Sequence, residues 1–553
     1  MVVRCTKDSL NIYRRSETSA EIAAKFSCSP LQASLLEMRG VTADDMPAEV
    51  RDWLSPSLSG LLEKLDLGER GSRRSAELIN GVTPSSRVVV YGDYDVDGIS
   101  ATAIAMELVL ARGAHVRYFI PHRFNQGYGL HKDVAETIAK HGCDLVIVVD
   151  CGSQDAEAVE ALKSSGIPVV IFDHHLVEST PAACDAIINP QIAGDPAAKK
   201  LCAAGVIWCW IWQNELLPES SLMRVLDVVA LATIADCVSL ASPLNRALVR
   251  EGLKSIRTQT RPGLSILMEQ LGITPSAVDT EDLAMKVIPC LNAAGRLYLA
   301  DLAEDILFPG KNLALNVSRL IALNRRRREL SSKILDQIDT ASEGDYKYVL
   351  TNSEWSVGVL SSVASRICSE RNSPVALVAS AGGVMRGTLR MPSDGDAVGV
   401  LKKIAPLLNT WGGHRLAAGF SVKTENWEKV RELLEEMLSL VKPVPEKEDL
   451  LYWEPGNMDI DTWSEAAVLG PFGMDNPFPL LYSPCNGKIN ILPLGRTGKH
   501  VKVETGSASL LAFGAADMFG DAADIEGWAY KPRIDTWRSV TSLQFVLEKM
   551  VMR

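Results

Sequence analysis

The chain has 553 residues, 47% hydrophobic and 23% charged, with a mean hydropathy of +0.06. At roughly 150 residues per domain that is about three or four units, and disordered, collagen-like or disulfide-scaffold chains do not have this composition. The net charge of −11 argues against broad coating of nucleic acid but not against a local groove. The longest uncharged apolar run, Leu201 to Trp212, falls well short of the ~20 residues that a membrane span needs. The opening MVVRCTKDSL lacks the apolar core of a signal peptide. Eleven scattered cysteines without a CxxC pair read as reduced thiols, and the expected compartment is the cytoplasm.

Residues 1–80 are predicted to form a helical, polar region, with amphipathic stretches such as SPLQASLLEMRG and LSGLLEKLDL. From Arg87 the texture changes. RVVVYGD, GISATAIAMELVLARG and VRYFI follow one another, then DLVIVVD, DAEAVEALKSSG and VVIFDHH. Buried strands alternating with helices predict an α/β domain with a parallel sheet over 81–310. Over 311–345 one long helix is expected, because Leu313, Val317, Leu320, Leu323, Leu330 and Ile334 keep a helical spacing. At ~1.5 Å per residue it would reach about 45 Å, enough to bridge two domains. A second, smaller α/β domain is predicted over 346–442. After a Pro- and charge-rich linker (Pro443 to Lys447), residues 448–553 hold 12 of the 33 aromatics and are expected to form a small OB-like β-barrel.

The sharpest chemical signal is YGDYDVDG, which puts Asp93, Asp95 and Asp97 on the loop between a strand and a helix. Carboxylates this close repel one another unless a cation holds them. An EF-hand loop shares the D-x-D-x-D-G spacing but needs Glu at its twelfth position, where Ile104 stands. Asp150 closes DLVIVVD, and Asp173 closes VVIFD just before His174 and His175. A single strand-end Asp is more often a helix cap. Three strand ends of one sheet, with a His pair, point instead to a ligand site at the carboxyl edge. Oxygen donors mixed with imidazole suit Mn²⁺ or Mg²⁺, and the carboxylates are too many for one ion and enough for two. Two ions ~3.5–4 Å apart can activate water and stabilise a leaving oxygen at phosphorus, so the chemistry points to phosphoester hydrolysis.

GDYDVDG, VDCG, FDHH and ATIAD together resemble the four motifs of the DHH phosphoesterases, in the order and spacing of that superfamily's single-strand-specific DNA exonucleases. The resemblance runs along nearly the whole chain, through LLEMRG, PHRFNQGYGL, LNAAGR, LNRRRRE, WGGHRLAAGF and PFGMDNPFPLLY. It implies Asp95, Asp97, Asp150, His174, His175 and Asp236 as catalytic metal-site residues, with Asp93 as a close neighbour in the metal set. Asp236 taken alone reads as a helix cap. Gly412, Gly413 and His414 resemble the family's substrate-holding motif, and Arg123, Arg296, Thr388 and Arg390 fall in motifs that hold phosphates. Arg325 to Arg328 could line a nucleic-acid channel or a solvated helix face. Arg496, Lys499, His500 and Lys502 form a basic strand amid aromatics, the composition of a single-strand stacking platform, although many of those rings must fill the barrel core.

Three positions depart from the family pattern: Cys290 stands where Arg usually precedes LNAAGR, Ser356 follows Trp355 in place of His, and GTLRM replaces a GSGRS-like segment. The activity the resemblance implies is 5′-to-3′ hydrolysis of single-stranded DNA to 5′-mononucleotides, in DNA repair and recombination. It would use two Mn²⁺ or Mg²⁺ ions and no covalent intermediate. Single-stranded DNA is the expected partner, with a single-strand-binding protein or a helicase as candidates to deliver it, and a monomer is expected. One alternative is a DHH phosphodiesterase for short oligonucleotides or cyclic dinucleotides, which would not need a long basic path. The other is a non-catalytic scaffold, against which the full set of acidic and His positions speaks.

Overall fold

The computed structural model describes residues 2–122, 127–177, 180–298, 300–308, 312–340, 347–442, 447–495, 498–506, 508–519, 524–537 and 540–553. The expectations placed on Arg123, Arg496, residues 443–446 of the linker and both predicted ends of the long helix fall outside them. Two compact units emerge: Met1–Ile288, Glu304–Leu313 and Lys447–Arg553 form one, Pro289–Ala303 and Ala314–Glu446 the other.

The first unit opens with two strands, β1 (Val3–Thr6) and β2 (Leu10–Tyr13), where the sequence predicts helix. VRCT and LNIY are too short to show an alternating pattern, and their partners lie at the far end of the chain. Helices then lead to β3 (Arg87–Tyr91), β4 (His115–Phe119), β5 (Leu145–Val149), β6 (Val169–Phe172) and β7 (Ala186–Ile188). These form the expected parallel sheet, in the order β4-β3-β5-β6-β7. LVIVV and VVIF are buried along their whole length, which is why they read as unbroken apolar runs rather than alternating ones. The helix Val96–Leu110 packs against β3, β4 and β5 and against the helices Ala203–Gln213 and Glu219–Ala235. Val134, Ala135, Ala158, Val159 and Leu162, from the helices Lys132–His141 and Ala156–Lys163, pack on Tyr91, Val146, Val148, Val169 and Ile171.

In the second unit, the helix Leu313–Thr340 runs for 28 residues, about 42 Å. Its Leu330, Ile334, Leu335 and Ile338 pack on Trp355 and on Val359, Leu360 and Val363 of the helix Val357–Arg371. The sheet of this unit comprises β8 (Val349–Thr351), β9 (Val375–Ala381), β10 (Val384–Arg390), β11 (Thr410–His414) and β12 (Ala417–Lys423), in the order β11-β12-β10-β9-β8.

The chain then returns to the first unit with β13 (Glu448–Tyr452), β14 (Leu481–Pro484), β15 (Ile489–Leu494), β16 (His500–Thr505), β17 (Ala508–Ala512), β18 (Ile525–Trp537) and β19 (Val540–Met552). Among the described residues these strands pair along an open path, β15-β16-β17-β19-β18-β14-β13-β2, with β1 parallel to β19. The N-terminal strands cover edges of this sheet that would otherwise expose unpaired backbone groups. The N-terminal helices share its core: Ile22, Leu31, Leu35 and Leu36 pack in one cluster with Trp463, Leu481, Trp528 and Tyr530. That explains the amphipathicity of SPLQASLLEM, whose apolar side belongs to the C-terminal module. No helix among the described residues is long and apolar enough to cross a membrane.

Candidate metal centre

The carboxyl ends of β3, β5 and β6 bring the predicted acidic and His residues to one place. Asp95 caps the helix Val96–Leu110, its Oδ1 accepting from the N–H groups of Asp97 (3.0 Å) and Gly98 (3.2 Å). Gly98 is required there, because a Cβ would lie 2.6–2.7 Å from the Asp93 backbone. The Asp97 carboxylate is buried and accepts from the Ala203 (2.7 Å) and Ala204 (2.9 Å) N–H groups. Those donors open the helix Ala203–Gln213, whose N-terminus favours negative charge. Burial and the neighbouring Asp95 charge nevertheless push Asp97 up to about 6.

Asp150 leaves β5 with φ +62° and is buried, and its Oδ1 has no hydrogen-bond donor among the described residues. Burial, then the charges of Asp97, Asp95, Asp93 and Asp236, hold its carboxyl far above the usual carboxylate range. Asp236 sits at the C-terminal end of the helix Glu219–Ala235 and is pushed up to about 8 by burial and by Asp97 and Asp95. His174 stands among these groups. Its Nε2 is 3.4 Å from Asp150 Oδ1 and 3.7 Å from Asp97 Oδ2, and its Nδ1 is 3.7 Å from Asp236 Oδ2. Three overlapping groups result: Asp150, His174 and His175; Asp97, His174 and Asp236; Asp93, Asp95 and Asp150. In each, the potential ligand atoms lie within 4.8 Å of one another.

Asp173 does not join these groups. Its Oδ1 accepts from His174 N–H (2.7 Å), His175 N–H (3.1 Å) and His175 Nδ1 (2.8 Å), and its Oδ2 from Ser153 N–H (3.2 Å). Burial alone would raise its pKa, but the His175 hydrogen bond and charge overcome it and hold the carboxyl below the usual range. The same bond overcomes the burial of His175 and lifts that imidazole to about 9. Tyr128 Oη lies 2.9 Å from His175 Nδ1 and donates to the Asp150 carbonyl (3.2 Å), while Asn189 Nδ2 donates to the His175 carbonyl (2.9 Å). Sequence reasoning gave Tyr128 and Asn189 no role and left Asp173 only as a strand end. The FDHH string and the GYGL segment were visible signals; the Asn189 contact arises only in three dimensions.

The expected phosphate-holding residues that are described lie in the second unit. Arg390 on β10 donates from Nη1 to Thr388 Oγ1 (3.0 Å) and from Nε to Ser365 Oγ (2.8 Å), with Ser361 Oγ as a third partner. Gly412, Gly413 and His414 are exposed on the edge strand β11. Gly413 has φ +143°, and a Cβ there would meet the Ala417 carbonyl at 2.4 Å. Arg296 stands near the end of the helix Ile288–Leu297. Of the arginine run, Arg325, Arg326 and Arg328 are exposed, whereas Arg327 Nε donates to Asn324 Oδ1 (3.0 Å). Cys290 is buried and its Sγ accepts from Asn324 Nδ2 (3.0 Å). Ser356 precedes the helix Val357–Arg371 without a side-chain capping bond. In the C-terminal module, Phe513 is exposed with its ring 5.6 Å from His500, and Lys502 pairs with Glu504 (2.8 Å). Trp463, Tyr482, Phe519, Trp528 and Tyr530 are buried.

A parallel sheet that gathers carboxylates and a His pair at its strand ends, followed by a smaller unit with a Gly-Gly-His edge strand, defines a phosphoesterase of the DHH class. The profile of the DHH family, N-terminal domain, matches residues 87–233, that of the DHHA1 domain residues 344–442 and that of the RecJ OB domain residues 452–549. The chain belongs to the RecJ family. It is 30% identical over 603 residues to the single-stranded-DNA-specific exonuclease RecJ of Escherichia coli, covering 98% of this chain and 99% of that protein. With the RecJ of Thermus thermophilus it shares 34% over 422 residues, 74% of this chain but 61% of the relative's length. The crystal structure of Thermus RecJ in complex with Mn²⁺ superposes with a TM-score of 0.80 at 27% identity, covering 98% of this chain and 79% of that one.

Proposed function

We propose that the protein is a divalent-metal-dependent exonuclease that degrades single-stranded DNA from its 5′ end to 5′-mononucleotides, in DNA repair and recombination. The observation that carries this reading is the buried Asp150 carboxylate, whose Oδ1 accepts no hydrogen bond among the described residues while sharing two ligand groups with Asp93, Asp95, His174 and His175. A lone buried anion is unstable, and oxygen donors with imidazole fit Mn²⁺ or Mg²⁺. Asp95, Asp97, Asp150, His174, His175 and Asp236 would hold two ions, with Asp93 beside them. When bound, such a pair supplies Lewis acidity at phosphorus and a nucleophile at neutral pH.

The chain's own residues do the rest. Asp173 orients His175 by accepting a hydrogen bond from its Nδ1. The Ala203 and Ala204 N–H groups fix the Asp97 carboxylate. In the second unit, Arg296, Arg390 with Thr388, and the Gly412–Gly413–His414 edge are suited to hold the backbone phosphates, glycine letting a phosphate approach the main chain and His414 donating to it. Arg123 is proposed for the same task on the motif alone. Phe513 beside His500 offers a base a stacking surface. The same reading makes the enzyme a cytoplasmic monomer that receives its strand from a single-strand-binding protein or a helicase; the free state of all eleven cysteines supports a reducing compartment.

The test is product length and polarity on end-labelled single and double strands with Mn²⁺ or Mg²⁺. Mononucleotides released only from the 5′ end of single strands are expected. Cleavage confined to dinucleotides, or no effect of chelator, would overturn the reading.

A further inference from the structure

Two strings of the sequence, LLEMRG and PFGMDNP, have no part in the chemistry above, and the fold brings them together on the segment that follows Asp236. Arg39, just past the helix Pro30–Met38, donates from Nε to Asn476 Oδ1 (2.8 Å) and from its Nη groups to the carbonyls of Leu35 (2.9 Å) and Pro477 (3.2 Å). Asn476 is fully buried, and its Nδ2 donates to the carbonyls of Leu469 and Pro471 (both 3.0 Å), closing the loop over 469–477 on itself. This loop sits on Leu240, whose N–H donates to the Met474 carbonyl at 2.8 Å. From the other side the Leu240 carbonyl accepts from Nη1 of Arg246, also fully buried, at 3.0 Å. Arg246 Nη2 reaches the Asp52 carbonyl (2.7 Å), and its guanidinium lies 3.8 Å from the Trp53 ring centre.

Such a join is expensive if its only role is cohesion. The acceptors of both guanidinium groups are carbonyl and amide oxygens, and burial pulls Arg39 down to about 10 and Arg246 to about 9. Apolar side chains would join the same surfaces at lower cost. A planar fork of donors gives fixed geometry instead. The fixed object is the peptide at Leu240, four residues beyond Asp236, and the chain between them has little slack. Cys237 holds φ +53° with its N–H on the Ile234 carbonyl (3.3 Å), and the Ser239 carbonyl accepts from Asn245 Nδ2 (3.0 Å). Asn245 Nδ2 also reaches the Lys200 carbonyl (2.8 Å), just ahead of the donors that hold Asp97.

We propose that Arg39, Arg246 and Asn476 are positioning residues: they lock the loop of the C-terminal module onto Leu240 and thereby fix Asp236 in the metal centre. The inference rests on the metal reading above and adds that the C-terminal module sets metal affinity as well as contacting DNA.

The test is Mn²⁺ binding to the full-length protein, followed by titration calorimetry and by the electron paramagnetic resonance of free Mn²⁺, with thermal melts of the metal-free variants alongside. Asp236→Asn identifies the site that depends on Asp236. Asn476→Ala and Arg39→Gln should weaken that same site roughly tenfold, leave the other unchanged, and add little to Asp236→Asn in the double variants. Gly473→Ala presses on the contact without removing a hydrogen bond, since its methyl would meet Leu240 Cδ1 at 2.8 Å, and decides the matter if the other variants fail to fold. Wild-type Mn²⁺ affinity in these variants, whatever happens to melting temperature, overturns the brace, and so does equal weakening of both sites. A wild-type protein that binds no Mn²⁺ sinks the metal reading itself.

Discussion

The strand ends of the first unit and the β10–β11 face of the second both present polar residues suited to a phosphodiester, under opposite solvation. Asp93, Asp97 and Asp150 are at most 3% exposed; burial and the Asp95 charge raise the proton affinity of Asp97, and burial with the charges of Asp97, Asp95 and Asp93 raises that of Asp150. Gly412, Gly413 and His414 stand in solvent, and Arg390 rests on hydroxyl groups. Buried like charges are tolerable only when protons or cations neutralise them, whereas a solvated polar edge costs nothing to keep empty. The first region is therefore constrained by its own electrostatics and the second only by what it must reach. Substitutions should act as a switch in one and by degrees in the other.

The sharpest way to break that contrast is Asp150→Ala. It should lower turnover by about a thousandfold or more, since several kcal/mol of metal-derived stabilisation is at stake. The metal-free protein should melt no lower than wild type, because a charge has left a repulsive cluster. Retained turnover, measured on a labelled single strand at saturating Mn²⁺, would show that the carboxylate is not a ligand. Next in size is Asp173→Asn, which keeps the shape but weakens the hold on His175. A loss of about 10- to 100-fold in Mn²⁺ affinity or activity is expected, and no loss would make the Asp173–His175 pair merely structural. His414→Ala should be gentler: one solvent-exposed hydrogen bond to phosphate corresponds to about 3- to 10-fold, read as a higher KM for long strands with unchanged Mn²⁺ binding. A fall in Mn²⁺ affinity there would erase the distinction between the two regions.

How much of this was legible in the sequence follows the range of the interactions. RVVVY, LVIVV and VVIF announce a buried parallel sheet because both faces of each strand are covered, and Asp95, Asp150 and the His pair stand out because strand ends are where such sheets bind ligands. Asp236 stands at the C-terminal end of a helix, which the dipole makes unfavourable for a carboxylate, but only the neighbours brought by the fold show what it faces. The donors that hold Asp97 come from more than 100 residues away in sequence, and no local pattern marks Ala203 or Ala204. VRCT and LNIY are too short to show a pattern of their own, and their strand character lies in pairing with β19 and β13. Arg39 and Asn476 were readable as motif letters but not as partners, since 437 positions separate them.

The smallest expected effect is also the most direct probe of the repulsion. In the metal-free protein Asp236 and Asp97 titrate near 8 and 6, above the ordinary 3.8, and His175 near 9, above 6.5. Between pH 8 and 6 the folded state therefore binds more protons than the unfolded chain, and stability must rise on acidification. The His175 contribution has the same sign, being complete below 6.5 and lost as pH rises through 9. Asp173, held below its ordinary value, contributes only at far lower pH. The gain should be on the order of 1–2 kcal/mol, seen as a metal-free melting temperature a few degrees higher at pH 6 than at pH 8. Excess Mn²⁺ should invert the trend, because protons and the ion compete for the same ligands. A metal-free protein that melts lower at pH 6 would mean that these carboxylates are already satisfied within the fold, and the buried region would then need a cation no more than the exposed one does.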